Sequence, residues 1–178
     1  MPDLSPDGKH MVAYAIDVTK EQPAQQDYDV LISQDAAGEW SSIRRLTPSN
    51  EAGSWARWSP DGRSIAYVGN RATIPGTAQL QPAAGGESRA VYDGRPLEGV
   101  TYIAWGKAPN VLYVDTRDST ARYNFYAVPL NSGKPRLLFR DSADHRVGRA
   151  DFATDGRRLF VTIAADESDV YTMELNRQ

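Results

Sequence analysis

The sequence contains no cysteine, which removes disulfides, thiolate metal sites and cysteine nucleophiles together. Histidine is almost as scarce, with only His10 and His145 in 178 residues. Two imidazoles do not furnish a zinc cage by themselves, and no Asp-x-Asp-x-Asp-Gly spacing of a calcium loop occurs. An excess of positive charge is missing too. The 20 Lys and Arg face 23 Asp and Glu for a net charge of −3, so no basic footprint for nucleic acid is present. No apolar run nears the ~20 residues that cross a bilayer as a helix. Residues Met1 to Gly8 lack the basic stretch and apolar core of a signal peptide. Neither the Gly-x-Ser-x-Gly elbow of α/β hydrolases nor a glycine-rich phosphate loop occurs. The expectation from these gaps is no metal, no cofactor, no nucleic acid and no membrane insertion, with the compartment left open.

What is present is a repeat. Leu4-Ser5-Pro6-Asp7-Gly8, Trp58-Ser59-Pro60-Asp61-Gly62 and Phe152-Ala153-Thr154-Asp155-Gly156 share one frame: an apolar residue, two small or turn-forming residues, then Asp-Gly. A basic residue and an apolar run follow each, as in Arg63 before Ile65-Ala66-Tyr67-Val68. A fourth copy, Trp105-Gly106-Lys107-Ala108-Pro109-Asn110, has lost its Asp-Gly but leads into Val111-Leu112-Tyr113-Val114. Trp58 lies 47 residues before Trp105, and Trp105 lies 47 before Phe152. Leu4 precedes Trp58 by 54, the excess falling in a polar insertion around Thr19 to Gln26. Proline presets φ, Asp bonds back to nearby amides and Gly accepts positive φ, so each motif is a turn between strands. A period in the forties with several short apolar runs is the pattern of a four-stranded propeller blade.

The expected fold is all-β: a β-propeller domain over 1–178, with four roughly four-stranded blades at about 1–47, 48–94, 95–141 and 142–178. Inner strands are predicted at 54–59, 100–105 and 148–153. Third strands are predicted at 29–32, 77–80, 124–128 and 169–173, the second of these poorly marked. Outer strands are predicted at 40–46, 88–92 and 135–139 after glycine turns. The last repeat stops where its outer strand would begin, and residues 1–4 supply only the tail of an inner strand. The expectation is an incomplete propeller or a half-ring that self-associates as a homodimer through open blade edges.

The run Trp58-Ser59-Pro60-Asp61-Gly62-Arg63-Ser64-Ile65-Ala66-Tyr67 resembles the TolB-type, WD-like propeller repeat, whose typical form is an aromatic, Ser-Pro-Asp-Gly, two variable residues and an apolar run. Repeats one, two and four match well, while repeat three departs at Gly106-Lys107-Ala108-Pro109. The same repeat occurs in bacterial TolB and in the propellers of prolyl-oligopeptidase-type peptidases. The resemblance implies a disc with a central channel, protein or peptide partners at one face, and a periplasmic parent. Its motif residues shape the blade and are silent on chemistry.

Trp58, Trp105 and Phe152 share a repeat position and are expected to pack between blades. Trp55 and Tyr102 fall three residues earlier, on the opposite face, with Arg149 as their counterpart in repeat four. Aromatic and Arg side chains dominate interface hot spots, so Trp55, Arg57, Tyr102, Arg149 and Asp151 are the candidate ligand contacts at the channel mouth. Packing between blades, or pairing with one another, is the competing reading for all five. His10 reads as a half-buried strand residue and His145 as part of a solvated loop. Asp166 to Asp169, and the pair Asp115 and Asp118, read as solvated hairpin tips. The chain is therefore expected to be a non-catalytic scaffold for protein or peptide partners. The alternative is the accessory propeller of a serine peptidase whose hydrolase domain lies elsewhere.

Overall fold

The computed structural model describes residues 2–16, 27–48, 52–71, 74–92, 97, 99–131, 133–142, 146–164 and 170–174. These residues form strands and turns, with no helix among them. The chain divides into two compact units, Met1–Ala90 and Val91–Gln178.

In the first unit, sheet I runs β1 (Asp3–Leu4), β2 (His10–Ile16), β3 (Asp27–Gln34) and β4 (Trp40–Arg45), in that spatial order. Sheet II runs β5 (Ala52–Trp58), β6 (Ser64–Arg71), β7 (Ile74–Pro82) and β8 (Arg89–Ala90). Sheet III of the second unit holds β9 (Val100–Trp105), β10 (Val111–Arg117), β11 (Tyr123–Pro129) and β12 (Arg136–Arg140). Sheet IV holds β13 (Arg146–Thr154), β14 (Arg158–Ala164) and β15 (Val170–Glu174), three strands among the described residues. All pairings are antiparallel between chain neighbours, the meander of a propeller blade.

The Asp-Gly motif explains the first turn of sheets I and II atom by atom. Ser5 Oγ donates to Asp7 Oδ1 at 2.6 Å, the Lys9 N–H donates to the same oxygen, and Gly8 takes φ 70°. Ser59, Asp61, Arg63 and Gly62 repeat the arrangement, with 2.6 Å from Ser59 Oγ to Asp61 Oδ1. In sheet IV, Ala153 stands in place of the serine and Thr154 in place of the proline; Thr154 Oγ1 accepts the Gly156 N–H, and Asp155 Oδ1 accepts the N–H groups of both Arg157 and Arg158. The serine hydroxyls hold Asp7 and Asp61 below the usual carboxylate range, and the Arg157 amide does the same for Asp155.

The two cores differ in chemistry. Between sheets I and II, Val12, Leu31, Leu46, Ala56, Trp58, Ile65 and Tyr67 form one buried cluster. In the second unit, Phe152 meets Tyr102 and Phe125 edge-on, each at 5.4 Å, and Phe125 meets Phe139 at 5.9 Å. Trp58 and Phe152 thus pack against the preceding sheet of their own unit. Each such ring contributes roughly 1.5–3 kcal/mol by leaving water.

Strand positions follow the sequence reading closely, with three differences, the first being that the outer strand expected at 88–92 is only the two-residue β8. The poorly marked third strand of repeat two is the nine-residue β7. Its polarity masked it: Gln81 is buried and spends its amide on the Gly86 carbonyl at 2.9 Å. Asp115, expected at a solvated tip, lies instead inside β10 and is 0% exposed, because β10 runs to Arg117 before the turn. Asp118 is the true turn residue, and its Oδ1 accepts from the Thr120 hydroxyl and from the Thr120 and Arg122 amides.

Candidate functional site

The inner strands are interrupted where the candidate residues lie. In sheet II, Ser54 pairs with Val68 but Arg57 pairs with Ala66, so β5 holds one residue more than β6. Trp55 absorbs that bulge at φ 60°, in the left-handed region that costs a non-glycine residue roughly 1–2 kcal/mol. In sheet III the register slips between Tyr102 opposite Asp115 and Val100 opposite Thr116. In sheet IV it slips between Val147 and Phe152, a stretch that includes positions 149 and 151. Bulges re-aim side chains and recur beside functional sites.

The bulge in β5 opens onto a cleft of about 320 Å³ within the first unit, lined by Val12, Ala13, Tyr14, Asp29, Ser54, Trp55 and Ala56. The extra residue alters the simple alternation that would put Trp55 and Trp58 on opposite faces. Trp55 lines this cleft toward sheet I, the sheet against which Trp58 packs. Arg57 is half-buried, with its guanidinium carbon 6.0 Å from the Trp55 ring centre, at the limit of cation–π contact.

Asp29 gives the cleft its chemistry. It sits opposite Tyr14 on β3, and Thr47 holds its backbone N–H at 3.0 Å. The residue is 1% exposed, and Oδ2 has no hydrogen-bond partner among the described residues. Desolvation pushes the carboxyl up to about 7, against the opposing pull of the Arg57 charge, the Ala56 N–H and the chain's amino terminus. Gly53 makes the seat possible, since a Cβ there would stand 3.0 Å from Oδ2 and overlap the Thr47 methyl. At neutral pH this group is divided between a carboxylate and a carboxylic acid, so it can accept from a ligand N–H or donate a proton to one.

Of the candidates read from sequence, Trp55 and Arg57 come together beside this cleft. Tyr102 belongs to the second unit, where it is buried with its ring on Phe152. The backbone of 149 and 151 runs in β13, and the side chains of Arg149 and Asp151 lie outside the described residues, as do His145 and 166–169. His10 is half-buried, with Nδ1 2.8 Å from Ser33 Oγ and its ring 5.9 Å from that of Trp58. Asp29 was missed because a carboxylate opening an apolar strand reads as a boundary residue. Among the described residues no group of three or more His, Asp or Glu is placed to hold a metal ion.

No protein-family model matches the sequence, and no curated protein matches it significantly. Solved structures do. Puromycin hydrolase superposes with a TM-score of 0.72 at 20% identity, over 97% of this chain and 26% of that one. A putative TolB from Agrobacterium tumefaciens gives 0.70 at 17% identity, over 97% and 57%. Oligogalacturonate lyase, solved in complex with manganese, gives 0.72 at 14% identity, over 98% and 50%. The chain therefore spans between 26% and 57% of the length of these proteins. What they share with it is architecture: the chain has the fold of a TolB-type β-propeller.

Proposed function

We propose that the chain is a non-catalytic binding module whose four blades, at about 1–47, 48–94, 95–141 and 142–178, belong to one propeller and present their inner-strand bulges to a protein or peptide partner. The observation that carries this reading is the cleft in which a backbone-strained Trp55 stands with a buried Asp29 whose Oδ2 lacks a partner among the described residues. Strain and an orphaned polar atom both cost stability, and both are resolved or used when a ligand docks. Tyr102, Arg149 and Asp151 extend the proposed contact set at the corresponding bulges.

Peptides selected from a random display library against the 178-residue chain test this. We expect enriched peptides whose affinity, measured by titration, falls at least about tenfold in Trp55→Asn, a residue that tolerates the same backbone conformation. No enrichment, or binding unaffected by this change and by Tyr102→Ala, removes the reading. Self-association through blade edges belongs to the same proposal. Its support is the outer strand β4, where Trp40 is 43% and Ile43 70% exposed. Light scattering at ~100 μM showing a strict monomer removes that part. The likeness to puromycin hydrolase favours a second reading, the accessory propeller of a prolyl-oligopeptidase-type peptidase. A hydrolase region encoded in the same gene would establish it.

A further inference from the structure

The departure of repeat three from its own motif has a chemical consequence. Each unit carries a cleft at the same place in the repeat, where the first turn of one sheet faces the first turn of the next. In the first unit it is about 380 Å³ and includes Asp7 and Asp61, the two motif carboxylates, with His10 between their turns. In the second unit it is about 540 Å³. There the position of Asp7 is taken by Ala108 and that of Pro6 by Lys107. Lys107 is joined in the wall by Lys134, Arg136 and Arg157, against a single carboxylate, Asp155.

Four cations on one cleft of a protein with net charge −3 is not the mixed surface of a solvated face. All four are exposed, and none makes a side-chain hydrogen bond or ion pair among the described residues. Asp155 feels the Lys107 charge and offsets part of this excess, but it is one carboxylate facing four cations, and its Oδ1 is held by the Arg157 and Arg158 amides of its own turn. The cleft floor adds Tyr113, 8% exposed, whose phenol feels both the Arg136 and the Asp155 charges. Concave walls of one sign focus the field, and guanidinium forks match planar or tetrahedral oxyanions.

We infer that the cleft bounded by Lys107, Lys134, Arg136 and Arg157 binds a small polyanion, one bearing two or more phosphate or carboxylate groups. The site is separate from the Trp55 cleft and does not depend on it. Size limits the ligand, because a cleft of this volume takes a metabolite-sized molecule. The equivalent cleft in the first unit, carrying Asp7 and Asp61, repels the same ligand and serves as an internal control.

Calorimetric titration of the 178-residue chain with pyrophosphate and with citrate, at ~20 mM salt so that screening is weak, tests the inference. We expect saturable binding of at least one, and the tighter of the two names the anion as phosphate or carboxylate. Lys107→Glu with Arg136→Glu is expected to lower affinity at least about tenfold. Lys9→Glu with Arg63→Glu changes net charge equally in the first unit and is expected to leave affinity within about threefold. Ala108→Asp adds a carboxylate at an exposed position of the cleft wall, and is expected to weaken binding without moving the thermal melt. Equal loss in the two double variants would make the effect one of net charge and overturn the site. So would no saturable binding of either anion, or binding only of an oligo-aspartate peptide.

Discussion

Asp29 and Asp115 are near-twins in burial and opposites in use. Each is at most 1% exposed, each is pushed up to about 7 by desolvation, and each leaves Oδ2 without a partner among the described residues. Asp115 nevertheless has a structural occupation. Its Oδ1 accepts the Thr101 hydroxyl at 2.8 Å, and the Thr101 and Tyr102 amides reach the same carboxyl at the bulge of β9. Asp29 has fewer such ties and borders an open cleft beside Trp55, with the Arg57 charge acting on it. A raised pKa therefore marks burial in both units, and only the cleft separates a candidate site from a rivet.

Replacement by an apolar residue draws the contrast most strongly. Asp115→Leu strands the Thr101 hydroxyl and two bulge amides, and urea melts are expected to show a loss of about 3 kcal/mol. Asp29→Leu removes fewer bonds along with the cost of a buried charge, and is expected to lose less than about 1 kcal/mol at pH 8. Equal losses would break the comparison. Next in size is Gly53→Ala, whose Cβ would meet the Thr47 methyl and Asp29 Oδ2. About 2–3 kcal/mol of destabilisation is expected. Thr47→Ser in the same chain removes the methyl but keeps the hydroxyl that holds the Asp29 amide, and is expected to recover at least half.

Titration ranks third. A carboxyl whose folded pKa lies above its unfolded value of 3.8 binds more protons folded than unfolded between those two points. Its contribution is therefore fully present below pH ~4 and is lost as pH rises toward about 7. The stability of the wild-type chain is expected to fall between pH 5 and 8 by roughly 2–3 kcal/mol per buried Asp. Asp29→Asn should remove its share of that slope and Asp115→Asn the other share. The turn carboxylates Asp7, Asp61 and Asp155 have lowered values, so they act in the opposite sense and only at more acid pH.

Sequence spacing located the strands because the motif turn is written in residues whose dihedral and hydrogen-bonding demands are local. Pro6, Asp7 and Gly8 need no distant partner to be legible. The burial of Asp29 and Asp115 is not local, since it depends on neighbouring elements closing over the strand that carries each carboxylate. The bulge at Trp55 was equally hidden, because one extra residue against β6 leaves no compositional trace. Repeat three showed its lost Asp-Gly plainly. What the loss does needed the fold, which brings Lys134, Arg136 and Arg157 to the wall that Lys107 occupies.

Trp55 offers the smallest change in stability and the sharpest division between site and packing. Its φ of 60° costs a β-carbon-bearing residue roughly 1–2 kcal/mol that glycine would not incur. Its half-buried indole returns an amount of the same order by leaving water. Trp55→Gly should therefore change stability by less than about 1 kcal/mol in either direction, while peptide affinity falls. Trp58→Ala, which empties a position inside the buried cluster of the first unit, should by contrast cost about 3–5 kcal/mol. If Trp55→Gly destabilises as much as Trp58→Ala, the indole is part of the core, the strain at the bulge serves packing, and Asp29 stands alone in its cleft.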